Sequence, residues 1–166
     1  MRFVVTGEMN RNRLLQVIVV LYCLYVGGLW LTNTFLYFDK MSLDPASVVA
    51  YYLGDEARFL APRSAQALLE ISHFHLFAMG MLLLVLTHLM LFVPLADRTK
   101  LWLIVLPFLS AGVDEGAGWL VRFVSPAFAF LKVAGFLLLQ GSLAALILLS
   151  LWAVFRSSSE GYRGGG

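Results

Sequence analysis

Residues 67–95 read ALLEISHFHLFAMGMLLLVLTHLMLFVPL, an apolar stretch in which Glu70 is the single formal charge. About 20 apolar residues are enough to carry an α-helix across the roughly 30 Å hydrocarbon core of a bilayer, so this stretch predicts a membrane span. Working outward from it, three further apolar runs cover about 14–36, 101–123 and 127–155, separated by polar breaks. The composition agrees, since 60% of the 166 residues are hydrophobic and 13% charged, with mean hydropathy +0.83. Soluble domains sit nearer 45–50% apolar and 25% charged. The second and third connections are so short that consecutive spans must be antiparallel neighbours, and the predicted fold is an all-α, four-helix up-down bundle in the membrane. Residues 1–156 form one membrane domain in this reading. The Ser- and Gly-rich residues 157–166 lack apolar periodicity and are expected to be disordered.

Basic residues concentrate at three places: Arg2, Arg11 and Arg13 before the first span, Arg98 and Lys100 between the second and third, and Arg156 and Arg163 after the fourth. Cytoplasmic segments are enriched in Lys and Arg, so both termini are expected in the cytoplasm and loop 37–66 on the exported face of a bacterial inner membrane. The arginines and the long first run have the layout of a retained signal anchor. The net charge of +2 therefore orients the chain and does not point to nucleic acid. In loop 37–66, Asp44-Pro45 gives a helix N-cap followed by a first-turn proline and Gly54 a helix stop, predicting a short helix over 46–53. Its tyrosines, Tyr51 and Tyr52, suit the headgroup level. Cys23 is the sole cysteine, which excludes an intrachain disulfide, a Cys-based zinc site and covalent haem attachment. No phosphate-cradling glycine loop or Ser-His-Asp order is present, which disfavours nucleotide or hydrolytic chemistry.

All three histidines, His73, His75 and His88, fall on the second span. Ionisable residues in the bilayer are costly and tend to face the bundle interior, which makes each a functional candidate. At about 100° and 1.5 Å per residue, His73 and His88 lie about 60° apart around the helix and about 22 Å apart along it. They share a face, expected to look inward. His75 lies about 160° from His73 and looks toward a different neighbour. Gly80, seven residues after His73, sits near the shared face, where a missing side chain would admit a flat macrocycle. Two imidazoles at two depths with a glycine between them resemble the layout of the di-haem cytochrome b families. That resemblance implies haem b at two depths, with His73 the axial ligand on the exported side and His88 on the cytoplasmic side. The fifteen-residue spacing is one longer than the family pattern, and no other span carries a histidine. The opposing ligands would come from a second copy, another subunit or a methionine. The segment Ser72-His-Phe-His-Leu-Phe77 with Thr87-His88 also looks like that of small four-span bacterial inner-membrane proteins. A competing metal reading pairs His73 with His75 on copper, although in an intact helix the two point apart and Glu70 alone is nearby.

The third span carries Asp114, Glu115, Trp119 and Arg122, and the fourth carries Lys132. With Glu70, His73 and His75 they are expected to form a charge-paired polar cluster in the outer leaflet, where a quinone head or a proton relay would find its groups. Gly27, Gly28, Gly135 and Gly141 read as close-packing positions, and Gln140 as a bridge between helices. The function these residues imply is a membrane electron-transfer subunit binding haem b through His73 and His88, with quinone or an exported cytochrome as its partner. The alternative is a non-catalytic accessory subunit of a larger membrane complex, its histidines hydrogen-bonded within the bundle.

Overall fold

The computed structural model describes residues 13–161, with side chains to residue 155. Five helices follow one another: α1 (Arg13–Lys40), α2 (Pro45–Leu53), α3 (Ala65–Met90), α4 (Asp97–Phe123) and α5 (Ala129–Gly161). Short 3-10 turns at Glu56–Arg58 and Pro126–Phe128 lead into α3 and α5. Four segments are long and apolar enough to cross a membrane: Arg13–Lys40, Ala65–Met90, Asp97–Phe123 and Pro126–Phe155. The chain is a membrane protein built as an all-α bundle. Arg2 and Arg11, which the orientation argument uses, lie outside the described residues, as do residues 162–166. Residues 157–161, assigned above to an unstructured tail, continue the backbone of α5.

Local chemistry sets the helix ends. Asp44 Oδ1 accepts from Ala46 N–H at 3.0 Å with Pro45 next in line, and Gly54, at φ 87°, ends α2. Ser64 Oγ accepts from Ala67 N–H at 3.1 Å to start α3, and Ser125 Oγ accepts from Ala127 N–H at 3.3 Å ahead of α5. Such caps satisfy amide groups that a helix start leaves without intrahelical partners. α3 stops at Met90, before the apolar run ends, because Pro94 restrains the residue before it and Leu91–Val93 close as tight turns. Lys100 Nζ then donates to the Leu91 carbonyl at 3.0 Å, placing a cation at the negative end of α3.

α5 is the hub, packed against α1, α2, α3 and α4. Two apolar clusters stack along it. One, at the end away from α2, joins Val19, Cys23 and Val26 to Leu83, Leu86, Met90, Leu143 and Leu146. The other lies under α2 and joins Tyr37, Val48, Tyr52, Leu68, Val121 and Phe136. Val48 and Tyr52 are buried, so α2 is a lid seated on the bundle. In the same half, Gly118 and Gly135 allow close approach. A Cβ on Gly118 would fall 2.7 Å from the Tyr52 hydroxyl, and one on Gly135 would fall 2.9 Å from the Asp114 backbone nitrogen. The second of these brings the α5 backbone against α4 beside its acidic pair.

Candidate functional site

Asp114 and Glu115 are consecutive on α4 and so about 100° apart around it. Each faces a different neighbour. Asp114 meets α5: its Oδ1 lies 2.8 Å from Lys132 Nζ, which also donates to the Asp114 carbonyl at 2.9 Å. Their side chains are 18% and 10% exposed. Glu115 meets α3: Oε1 accepts from Ser72 Oγ at 2.5 Å, and Oε2 lies 2.9 Å from His75 Nδ1. Trp119 Nε1 donates to Ser72 Oγ at 2.9 Å. A chain thus runs from indole to hydroxyl to carboxylate to imidazole. Both oxygens of Glu115 are engaged, so Nδ1–H of His75 donates to the carboxylate and Nε2 is left for another partner. The His75 side chain is 54% exposed.

This layer lies within the apolar spans. Asp114 lies nine residues from the Phe123 end of α4, about 14 Å along its axis. Charges at such depth persist when paired and hydrogen-bonded. The pairs form the wall of a cleft. One cavity of about 190 Å³ is lined by Asn33, Tyr37, His75, Asp114, Lys132 and Phe136 among others. A second, of about 180 Å³, is lined by His75, Met79, Gly80, Phe108, Gly112 and Leu139 among others, and shares Asn33, His75, Asp114 and Glu115 with the first. The mouth lies between α1 and α3, where Leu36, Ile71 and Leu76 are exposed apolar residues. The cleft opens toward lipid. Tyr52 roofs it from α2, and burial pushes its phenol pKa up, so the hydroxyl stays protonated.

The expected cluster is brought together in part. His75, Asp114, Glu115 and Lys132 meet, while Glu70, His73 and Arg122 do not join them. Glu70 is exposed and accepts from Gln66 at 3.1 Å. Arg122 Nε donates to the Arg63 carbonyl at 2.7 Å, with its guanidinium over the Phe123 ring. The expectation that His73 and His88 face the interior is corrected. Both are exposed on the outer surface of α3, their nearest aromatic neighbours being Phe74 and Phe92 on the same side of the chain. The buried residues of α3 are Leu68, Ser72, Leu83, Leu86, Thr87 and Met90. From Ser72, three residues bring His75 to about 60° from that face, whereas His73 and His88 lie about 100° and 160° away. Gly80 lines the cleft rather than a space between His73 and His88. Among the described residues no group of three or more His, Cys, Asp or Glu side chains is placed to hold a metal ion. His73 and His75 point apart, and Cys23 is buried in the distant apolar cluster.

Sequence reasoning passed over Ser72, Trp119 as a donor and Asn33; of the glycines it read as close-packing positions, Gly135 is one, while Gly27, Gly28 and Gly141 face open space. A signal existed for Ser72, a small hydroxyl residue three positions before His75 and so on a neighbouring face of the helix. Asn33 carried none beyond its polarity. No curated protein and no solved structure matches the chain. The transmembrane helical domain family Aq_1264_TM matches residues 42–161, which take in α2 to α5 and every member of the two ion pairs, and the chain belongs to that family.

Proposed function

We propose that this protein is a membrane subunit that takes the polar head of a lipid-dissolved molecule into the cleft between α1 and α3 and exchanges a proton with it through His75 and Glu115. The observation that carries this reading is the His75–Glu115 pair at 2.9 Å in the wall of a cavity open to lipid. A carboxylate fixed on Nδ1 stabilises the imidazolium that forms when Nε2 takes a proton, the arrangement by which a histidine serves as general base. Ser72 and Trp119 hold the carboxylate in place, and the Asp114–Lys132 pair keeps the adjoining wall polar without a net charge. Basic residues at the opposite ends of the spans support, by the positive-inside rule, a position for this cleft in the outer leaflet of a bacterial inner membrane. The test is solvent extraction of the purified protein followed by mass spectrometry. One membrane-soluble compound near one per chain, lost in Glu115→Gln, is the expected result. Bulk phospholipid alone in the wild type, or full retention of that compound in Glu115→Gln, would refute it.

A second reading keeps the electron-transfer role, on the observation that His73 and His88 share an outward face. The lower cavity, about 180 Å³, suits a single ring and not a macrocycle, so haem b does not fit beside Gly80 within one chain. It would fit between two copies, each contributing His73 at one depth and His88 at the other. A b-type signal in a reduced-minus-oxidised spectrum, near one haem per chain and lost in His88→Ala, is the outcome this reading requires. No signal in the wild type removes it and favours an accessory subunit of a larger assembly.

A further inference from the structure

The two cavities are one space with a polar waist. Asn33, His75, Asp114 and Glu115 line both. Above the waist the walls are charged and aromatic, with Lys132, Tyr37, Tyr51 and Trp119. Below it they are Leu76, Met79, Leu83, Phe108, Ala111 and Leu139, with Gly80 from α3 and Gly112 from α4. A glycine within a helix costs about 1 kcal/mol relative to alanine, and elsewhere in the bundle the cost has a visible reason. Gly118 and Gly135 admit Tyr52 and the α4 backbone. Gly80 and Gly112 admit nothing: a Cβ on either would meet no atom within 4 Å. Gly27, Gly28, Gly116 and Gly141 also have open space, but Gly80 and Gly112 are the two that line one cavity. The lower chamber is thus a slot with two bare walls.

Its size and chemistry narrow the occupant. A dry cavity of about 150 Å³ accepts a benzene ring, so about 180 Å³ accepts one six-membered ring. The two chambers together reach the lower part of the roughly 300–1,000 Å³ range of ligand pockets. An anionic headgroup is disfavoured at the waist, because Asp114 and Glu115 face it, Lys132 is already spent on Asp114, and the other lysine of the lining, Lys40, is exposed at the end of α1. A pure hydrocarbon would leave the waist unpaired. Asn33 makes no side-chain hydrogen bond among the described residues, and Nε2 of His75 has none either. Both stand at the waist, one from α1 and one from α3. Asn33 offers a donor to a carbonyl oxygen, and Nε2 of His75 offers an acceptor to a hydroxyl, becoming a donor once it has taken the proton.

Building on the cleft reading above, we infer that the ligand is a quinone-class molecule, a single planar ring with carbonyl or hydroxyl oxygens and an apolar tail. Its ring lies in the slot between Gly80 and Gly112, its oxygen edge meets His75 and Asn33, and its tail leaves between α1 and α3 into lipid.

The test titrates the full-length protein in detergent with decylubiquinone, reading quenching of Trp119 as the difference between wild type and Trp119→Phe. Gly80→Leu and Gly112→Leu put a side chain into the slot from positions where a Cβ meets no protein atom within 4 Å and are expected to weaken binding at least about tenfold, while melting is unchanged. Gly28→Leu, whose side chain points to open space outside the cleft, leaves affinity as in the wild type. Decylubiquinone binding equal in Gly80→Leu and wild type overturns the slot. Absence of decylubiquinone binding, when the extracted compound is still lost in Glu115→Gln, overturns the quinone assignment while the cleft reading stands. If Gly80→Leu fails to fold, Gly112→Leu on the facing wall decides the question.

Discussion

Replacing Lys132 with methionine separates a structural ion pair from an incidental one. Lys132 Nζ sits 2.8 Å from Asp114 Oδ1, both side chains are more than four-fifths buried, and α5 reaches α4 here only because position 135 has no side chain. Removing one partner of a buried pair strands the other charge, at about 3–5 kcal/mol. Protonation of the stranded Asp114 relieves part of this, which places the expected loss near 3 kcal/mol. Replacing both residues, as Asp114→Leu with Lys132→Met, removes the desolvation cost together with the attraction and is expected to return stability to within about 1 kcal/mol of the wild type or above it. The chain supplies its own reporter, since Cys23 is the single cysteine and is 2% exposed. A thiol-reactive dye stays dark until the bundle opens, so midpoints can be read during titration with a denaturing detergent. A loss below about 1 kcal/mol for Lys132→Met, the value of a solvent-exposed pair, would refute the reasoning. So would a double variant no better than the single one.

Gly135→Ala is expected to cost about 1–3 kcal/mol, as over-packing does, because its methyl would meet the Asp114 backbone at 2.9–3.0 Å; the same dye midpoint measures it. Gly54→Ala should lose a further 1–3 kcal/mol through backbone strain, since Gly54 has φ 87° and a Cβ there would fall 2.6 Å from the Leu60 carbonyl oxygen; faster protease cleavage in the segment joining α2 to α3 reads it independently. Gln140→Leu should be neutral or slightly stabilising, because Nε2 of this 8%-exposed glutamine has no partner and its Oε1 accepts only a long 3.3 Å bond from Thr34. A loss above about 1.5 kcal/mol would show that the amide makes a hydrogen bond worth a full buried contact.

The spans and the short helix α2 were legible because their signals are local. Length and hydropathy define a span, and Asp44, Pro45 and Gly54 cap α2 by chemistry within a few residues. The inward side of α3 was not legible. In a soluble helix the apolar stripe marks the core, but α3 is apolar nearly all round, since lipid accepts the same side chains as the core. The remaining guide, that ionisable groups face inward, pointed to His73 and His88. The structure instead turns Ser72 and Thr87 inward, small hydroxyl residues whose polarity can be met at once. Thr87 donates to its own helix at the Leu83 carbonyl, 2.6 Å away, and Ser72 donates to Glu115. Which carboxylate meets which base depends on the rotation of α4 against its neighbours, and Gly135 and Gly118 set that through contacts no single-span pattern reveals.

The two ion pairs of the polar layer divide the work between stability and chemistry. Asp114–Lys132 is enclosed, and Lys132 spends donors on both the carboxylate and the backbone carbonyl of one residue. Such a pair holds α4 to α5 and has little left to offer a ligand. His75–Glu115 is built the other way. Its carboxylate is fully bound, by Ser72 and His75, but its imidazole is half exposed at the waist of the cleft. Losing the His75 side chain removes one of the two hydrogen bonds that Glu115 accepts, at about 1–3 kcal/mol, and with it the imidazole that stands half exposed at the waist. If the division holds, His75→Phe loses the extracted compound, whereas the double Asp114→Leu, Lys132→Met variant keeps both the compound and its dye midpoint. Loss of the compound from both would mean that the charged wall of Asp114 and Lys132 takes part in binding as well as in holding the bundle together.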